Sequence, residues 1–142
     1  MIIPALNDNG ELPPGEYQVT LETIEDRFGS TNQKRRRLML GLRSAAKNLT
    51  QAGVKKIWID GSFVTAKNNP EDIDGVWETH PKIDLSVLDA VFLGKRSAMK
   101  EKYGLDFFPD VIEAGTGLPF PAFFRINRDG DAKGILVVQL GD

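Results

Sequence analysis

The sequence predicts an α+β fold, a single mixed or antiparallel sheet backed by helices, and three observations carry that reading. Leu38, Leu42, Ala45 and Leu49 recur at the spacing of one helix stripe. Two short β-rich runs follow, Val54 to Ile59 and Asp72 to Trp77, separated by the turn chemistry of Asn68-Asn69-Pro70. Two last apolar runs, Ala122 to Asn127 and Gly134 to Leu140, flank an Asp129-Gly130 hairpin turn. The predicted order is α, α, β, β, α, β, β, β.

At 142 residues the chain suits one domain spanning 1–142, with a core of its own. No apolar run approaches the roughly 20 residues that cross a bilayer, so no membrane partner is expected. The first residues, Met1 to Asn9, have neither a basic segment nor a long apolar one, and a cytoplasmic location is expected. Cysteine is absent, which removes disulfides, thiolate zinc sites and cysteine nucleophiles.

Residues 1–14 lack periodicity and run into Leu12-Pro13-Pro14-Gly15, so they read as an extended arm. Thr20 is expected to cap a short helix, with Glu22, Glu25 and Asp26 in its early turns and Gly29 as its stop. Ser30 or Thr31 would cap the longer helix, which runs to about Gln51 and closes at Gly53. In the strand that follows, Ile57 and Ile59 share one face, opposite Trp58 and Asp60. In the next, Ile73, Gly75 and Trp77 lie opposite Asp72, Asp74 and Val76. Asp84 is expected to cap a helix through Phe92 with Leu85, Leu88 and Phe92 as its apolar side. A basic helical segment, Lys95 to Tyr103, stops at Gly104, and Leu105 to Phe108 reads as a strand before Pro109. Ala114 to Pro121 is a loop by its glycines and prolines.

Charge is unevenly spread. Lys34, Arg35, Arg36, Arg37, Arg43, Lys47, Lys55 and Lys56 fall in a stretch with no acid, and an acidic segment follows. A basic helix before an acidic pocket suits a metal-bound polyphosphate or nucleic acid; a solvated helix face has the same composition. The acidic segment holds the chemistry. Alternate residues of a strand share a face, which places Asp72 and Asp74 roughly 6–7 Å apart at Cα. Two like charges at that separation repel by roughly 3 kcal/mol at an effective dielectric near 20. Solvent exposure or a bound cation relieves that repulsion, and hard oxygen donors without His or Cys favour magnesium or manganese. Such ions activate an attacking hydroxyl and neutralise a leaving pyrophosphate. Gly61 lets backbone approach phosphate, and Ser62 adds a hydroxyl and an N–H. Together these parts suit phosphoryl or nucleotidyl transfer.

Gly61-Ser62, the nine residues Phe63 to Glu71, then Asp72-Ile73-Asp74 is similar to the signature of the polymerase-beta-type nucleotidyltransferase superfamily. The resemblance implies a polymerase-beta-like fold, with Gly61 and Ser62 cradling the phosphates of a nucleoside triphosphate substrate. Asp72 and Asp74 would hold two magnesium or manganese ions. The superfamily's third acid lies on the strand after an intervening helix, where Asp106 matches best and Asp110 is the alternative. The chain differs from the signature at Asp60 and Gly75, where the superfamily has apolar residues.

More narrowly, Leu12 to Gly15, Arg35-Arg36-Arg37, Asp60 to Thr65, Asp72 to Asp74, Met99 to Gly104 and Lys133-Gly134-Ile135 resemble a small bacterial nucleotidyltransferase-like family of unassigned function. Small relatives in the superfamily often belong to toxin–antitoxin or phage-defence systems. The implied activity is magnesium-dependent transfer of a nucleoside monophosphate to a hydroxyl of a protein or RNA acceptor, with a cognate toxin or antitoxin as a further partner. The alternative is an inactive nucleotidyltransferase-fold binding protein, an antitoxin or nucleotide sensor. Trp58, Trp77, Phe107 and Phe108 are expected in the core, His80 in a loop, and Lys95, Arg96, Lys100 and Lys102 on a solvated helix face.

Overall fold

A computed structural model describes residues 3–110 and 133–141. Five strands form one mixed sheet: β1 (Gly15–Val19), β2 (Lys56–Asp60), β3 (Ile73–Trp77), β4 (Leu105–Pro109) and β5 (Gly134–Gln139), in the spatial order β1-β5-β2-β3-β4. The central β2 is antiparallel to both its neighbours, β5 and β3, while the outer pairs β1/β5 and β3/β4 are parallel. The α-helices are α1 (Leu21–Phe28), α2 (Gln33–Ala52) and α3 (Arg96–Tyr103). Parallel neighbours need a crossover connection, and α3 lies in the one that joins β3 to β4.

Strand alternation sorts the sheet into two faces. Ile57 and Ile59 of β2, Ile73 and Trp77 of β3, Leu105 and Phe107 of β4, and Leu136 and Val138 of β5 join one core with the buried residues of all three helices. The residues between them point the other way, where Trp58, Val76, Ile135 and Val137 form a smaller cluster. The α2 stripe enters the core as expected, through Leu38, Leu42, Ala45 and Leu49. Gly53 ends that helix in the left-handed conformation, its N–H bonded to the Leu49 and Thr50 carbonyls. Thr20 caps α1 by accepting from the Thr23 N–H at 3.1 Å. No helix among the described residues is long and apolar enough to cross a membrane.

The structure corrects two readings, the cap of α2 and the Asp84–Phe92 helix, and adds a strand the sequence reading did not assign. The cap of α2 is Asn32, which accepts from the Arg35 N–H at 2.8 Å, rather than Ser30 or Thr31. Gly15–Val19 is a strand that the arm reading stopped short of; Tyr17 and Val19 face the core while Glu16 and Gln18 alternate with them. Residues 3–14 carry neither helix nor strand, yet Ile3 and Leu12 are buried in the core.

The expected helix from Asp84 to Phe92 is absent. Asp84 Oδ1 accepts from the Ser86 N–H and hydroxyl, as a cap would, and its carbonyl accepts from the Val87 and Leu88 N–H groups, but the turn does not propagate. Of the expected apolar side, Leu88 and Phe92 are buried in the core, whereas Leu85 is 65% exposed. Asn48 of α2 bonds the Val87 carbonyl and the Asp89 N–H, and only Ala90–Phe92 forms a short 3₁₀ turn. Asp89 then accepts from Lys102 and from the Tyr103 hydroxyl of α3, which hold its carboxyl down at about 2. The Ala114–Pro121 loop and the Ala122–Asn127 arm of the predicted hairpin lie outside the described residues. The other arm, β5, pairs with β1 and β2.

Candidate metal centre

The register of three strands builds the site. Asp60 of β2 stands opposite Asp74 of β3, and Asp74 beside Asp106 of β4. These three carboxylates form one row on the face away from the helices, next to the apolar row of Trp58, Val76 and Phe108. Asp72, two residues before Asp74, belongs to the same face. One carboxylate oxygen from each of Asp72, Asp74 and Asp106 lies within 4.8 Å of the others, and all three residues are half-buried. Asp106 is thus the third acid brought to the pair. The alternative, Asp110, is not in that group; its backbone N–H donates to the Trp77 carbonyl at 2.9 Å.

Electrostatics single out Asp74. Burial, then the charges of Asp72, Asp106 and Asp60, push its carboxyl up to about 7. Among the described residues no donor hydrogen-bonds to it, whereas both flanking acids have cations. Arg96 holds Asp106 with both arms of its guanidinium, Nε to Oδ1 at 3.0 Å and Nη2 to Oδ2 at 2.7 Å. Lys100 Nζ lies 3.4 Å from Asp72 Oδ2 and 3.7 Å from Glu71. Arg96 also packs over the Phe108 ring at 5.1 Å. These two α3 cations are therefore site residues and not a freely solvated face.

Asp60 is 1% exposed, and burial raises its carboxyl to about 6 although Lys133 lies beside it. The Lys133 ammonium is 3.0 Å from Asp60 Oδ2. That oxygen has no well-aligned hydrogen bond, so the contact acts as charge pairing. Asp60 thus completes the carboxylate row while its own charge is met by Lys133.

Gly61 is fixed by the row itself. Its φ is +79°, and a Cβ there would lie 2.1 Å from Asp74 Oδ2. Gly75, between the rows, is equally constrained: a Cβ would fall 2.4 Å from the Trp58 carbonyl oxygen and 2.6 Å from the Phe107 ring. Gly75, one of the two positions that differ from the signature the chain resembles, therefore has a local structural reason.

Ser62 opens a 3₁₀ turn, Ser62–Val64, held from behind by a residue that the basic-helix reading misplaced. Arg35 is 3% exposed. Its guanidinium donates to the carbonyls of Phe28, Phe63, Thr65 and Lys67 at 3.0, 2.6, 2.9 and 2.5 Å, and reaches that of Ser62 at 3.5 Å. The ring of Phe63 lies under it at 5.3 Å. The signal was present: Arg35 precedes Leu38, Met39 and Leu42 by three, four and seven residues, on the buried stripe. The rest of the basic run does not form one free surface either, since Arg43 pairs with Glu25, and Lys56 lies over Trp58 and beside Glu78.

His80 is a loop residue, its Nε2 against the Gly53 carbonyl at 2.7 Å and its Nδ1 accepting from the Lys82 N–H. Trp58, Trp77 and Phe107 are buried, while Phe108 is half-buried.

The donor set fits a hard divalent cation. It offers carboxylate oxygens only, held together against their mutual repulsion on rigid strands, with no imidazole or thiolate. A groove of about 750 Å³ between α2 and α3, lined in part by Lys34, Arg37, Glu71 and Lys100, adjoins Asp72 through Lys100. No curated protein and no solved structure matches the chain. Residues 4–139 match the profile of a family of unknown function (DUF6932), and the chain belongs to that family.

Proposed function

We propose that the protein is a magnesium- or manganese-dependent nucleotidyltransferase of the polymerase-beta-like type, moving a nucleoside monophosphate from a nucleoside triphosphate to a hydroxyl of a protein or RNA acceptor. One observation carries the reading: Asp72, Asp74 and Asp106 converge on one sheet face, against a glycine of the Gly61-Ser62 turn that the Asp74 carboxylate touches. Asp72, Asp74 and Asp106 would hold the ions. When bound, these supply charge neutralisation for phosphate and a more acidic acceptor hydroxyl. Gly61 leaves room for backbone beside phosphate, and Arg35 fixes the turn that presents Ser62. Asp106, the third acid, would complete one metal site and help deprotonate the acceptor hydroxyl. A toxin–antitoxin or phage-defence setting is part of this proposal only through the resemblance.

Incubation with labelled nucleoside triphosphates, magnesium and candidate acceptors should give transfer that Asp72→Ala plus Asp74→Ala abolishes. Transfer that survives in the double variant would overturn the assignment.

A second reading, a nucleotidyltransferase-like fold that binds nucleotide without turnover, is favoured by the two-armed Arg96–Asp106 pair, which engages both oxygens of the third acid. Calorimetry separates the two. Triphosphate binding with no pyrophosphate release over long incubation supports the second reading and removes the first.

A further inference from the structure

We propose that Arg96 and Lys100 of α3 are internal counter-ions of the acidic centre, which a divalent cation displaces and which, once displaced, grip a phosphate-bearing anion. Metal and polyphosphate then bind cooperatively. The inference rests on the reading of Asp72, Asp74 and Asp106 as a metal centre.

Geometry sets up the exchange. Arg96 uses both oxygens of Asp106, so an ion that takes an Asp106 oxygen competes with one arm of the fork. Lys100 stands likewise against Asp72, and Asp74 lies between them. The acids and cations are not equally fixed. The Asp106 and Asp72 side chains are 16% and 17% exposed, whereas those of Arg96 and Lys100 are 64% and 50% exposed. The less exposed partners are short side chains, Asp106 on β4 and Asp72 directly before β3; the exposed partners have long side chains and solvent to move into.

Arg96 and Lys100 are four residues apart on α3 and so share one helix face. Displaced, both heads remain at the rim of the centre. Three carboxylates against two cations leave one negative charge, and a divalent ion turns this into a net positive one. An anion with several phosphate oxygens restores neutrality, and a guanidinium fork matches such oxygens. Each ligand thereby raises the other's affinity by the same factor.

The test is Mn²⁺ titration, read by electron paramagnetic resonance of the free ion, with and without inorganic pyrophosphate and with manganese–pyrophosphate complexes accounted for. The proteins are wild type, Arg96→Gln, Lys100→Gln, the double variant and Asp74→Asn. Without pyrophosphate, Arg96→Gln and the double variant should bind Mn²⁺ several-fold tighter than wild type. With it, wild-type affinity should rise by about tenfold, and that gain should largely vanish in the double variant. Mn²⁺ binding that needs Asp74 but is unchanged in the double variant overturns this inference and leaves the metal centre standing. No binding in any variant removes the metal centre, and the inference with it.

Discussion

Burial and neighbouring carboxylates hold the Asp74 carboxyl up at about 7, whereas an aspartate in an unfolded chain titrates near about 4. Below the lower value both states are protonated and the group costs nothing. Between the two the unfolded chain ionises first, so stability falls as pH rises; above about 7 the cost is complete. Without divalent metal, Asp74→Asn should therefore stabilise the fold at pH 7 by about 1–3 kcal/mol, an advantage that disappears at pH 4. Urea denaturation in a chelator at the two pH values measures this, and equal midpoints at pH 7 would contradict it. Arg35 predicts the opposite sign. Burial already lowers its pKa, and its guanidinium serves carbonyls of two segments at once. Arg35→Lys keeps a charge but loses the fork, leaving carbonyls unpaired, so a loss of about 2–4 kcal/mol is expected from the same denaturation curves. At this scale the acids were legible, because a spacing of two on a strand fixes their face. Arg35 was read by its charge, although its place on the apolar stripe pointed inward. The partners of Asp60 and Asp106 were not legible at all: they depend on where Lys133 and Arg96 arrive in three dimensions, which no local pattern encodes.

Elements with a strong period were read correctly, and those whose side chains compete with the backbone were not. The α2 stripe is continuous over several turns, and β2 and β3 are short, largely buried runs on either side of a turn-rich loop. From Asp84 to Phe92 apolar residues also fall at helical spacing, but the Asn48 side chain bonds the Val87 carbonyl and the Asp89 N–H, backbone groups a helix would need. For β1 the period of two was present in Tyr17 and Val19, within a run too short to stand out beside Pro13-Pro14-Gly15. Contact between α2 and α3 brings a prediction at this scale. A Cβ on Gly41 would lie 1.9 Å from the Tyr103 carbonyl oxygen, at the end of α3 and two residues before β4 begins. Backbone cannot swing aside as a side chain does, so Gly41→Ala should cost about 3 kcal/mol in thermal or urea unfolding. Since the displaced segment leads directly into Asp106, the same variant should also weaken Mn²⁺ binding, whereas an alanine at the exposed Leu40 should leave both unchanged.

For the whole molecule, the two faces of the sheet have separate tasks. One is buried under helices and supplies cohesion; the other gathers carboxylates in a row whose repulsion the fold must bear. Strands are a rigid place to hold such a row, because each ladder residue is fixed by neighbours on both sides. The metal-free fold is accordingly less stable than its core alone would make it, and an ion that binds only the folded row restores the difference by mass action. At a hundred times its dissociation constant such an ion contributes about 2.7 kcal/mol. For a chain of this length that corresponds to a rise in Tm of roughly 8 °C. Melting curves with Mn²⁺ or Mg²⁺ at increasing concentration should show this shift, and Asp72→Asn plus Asp74→Asn should remove it while melting higher than wild type in chelator. A shift that persists in the double variant would place the ion elsewhere. No shift in wild type would mean that Arg96, Lys100 and Lys133 already neutralise the row, so that the face is an ion-paired surface and no metal centre.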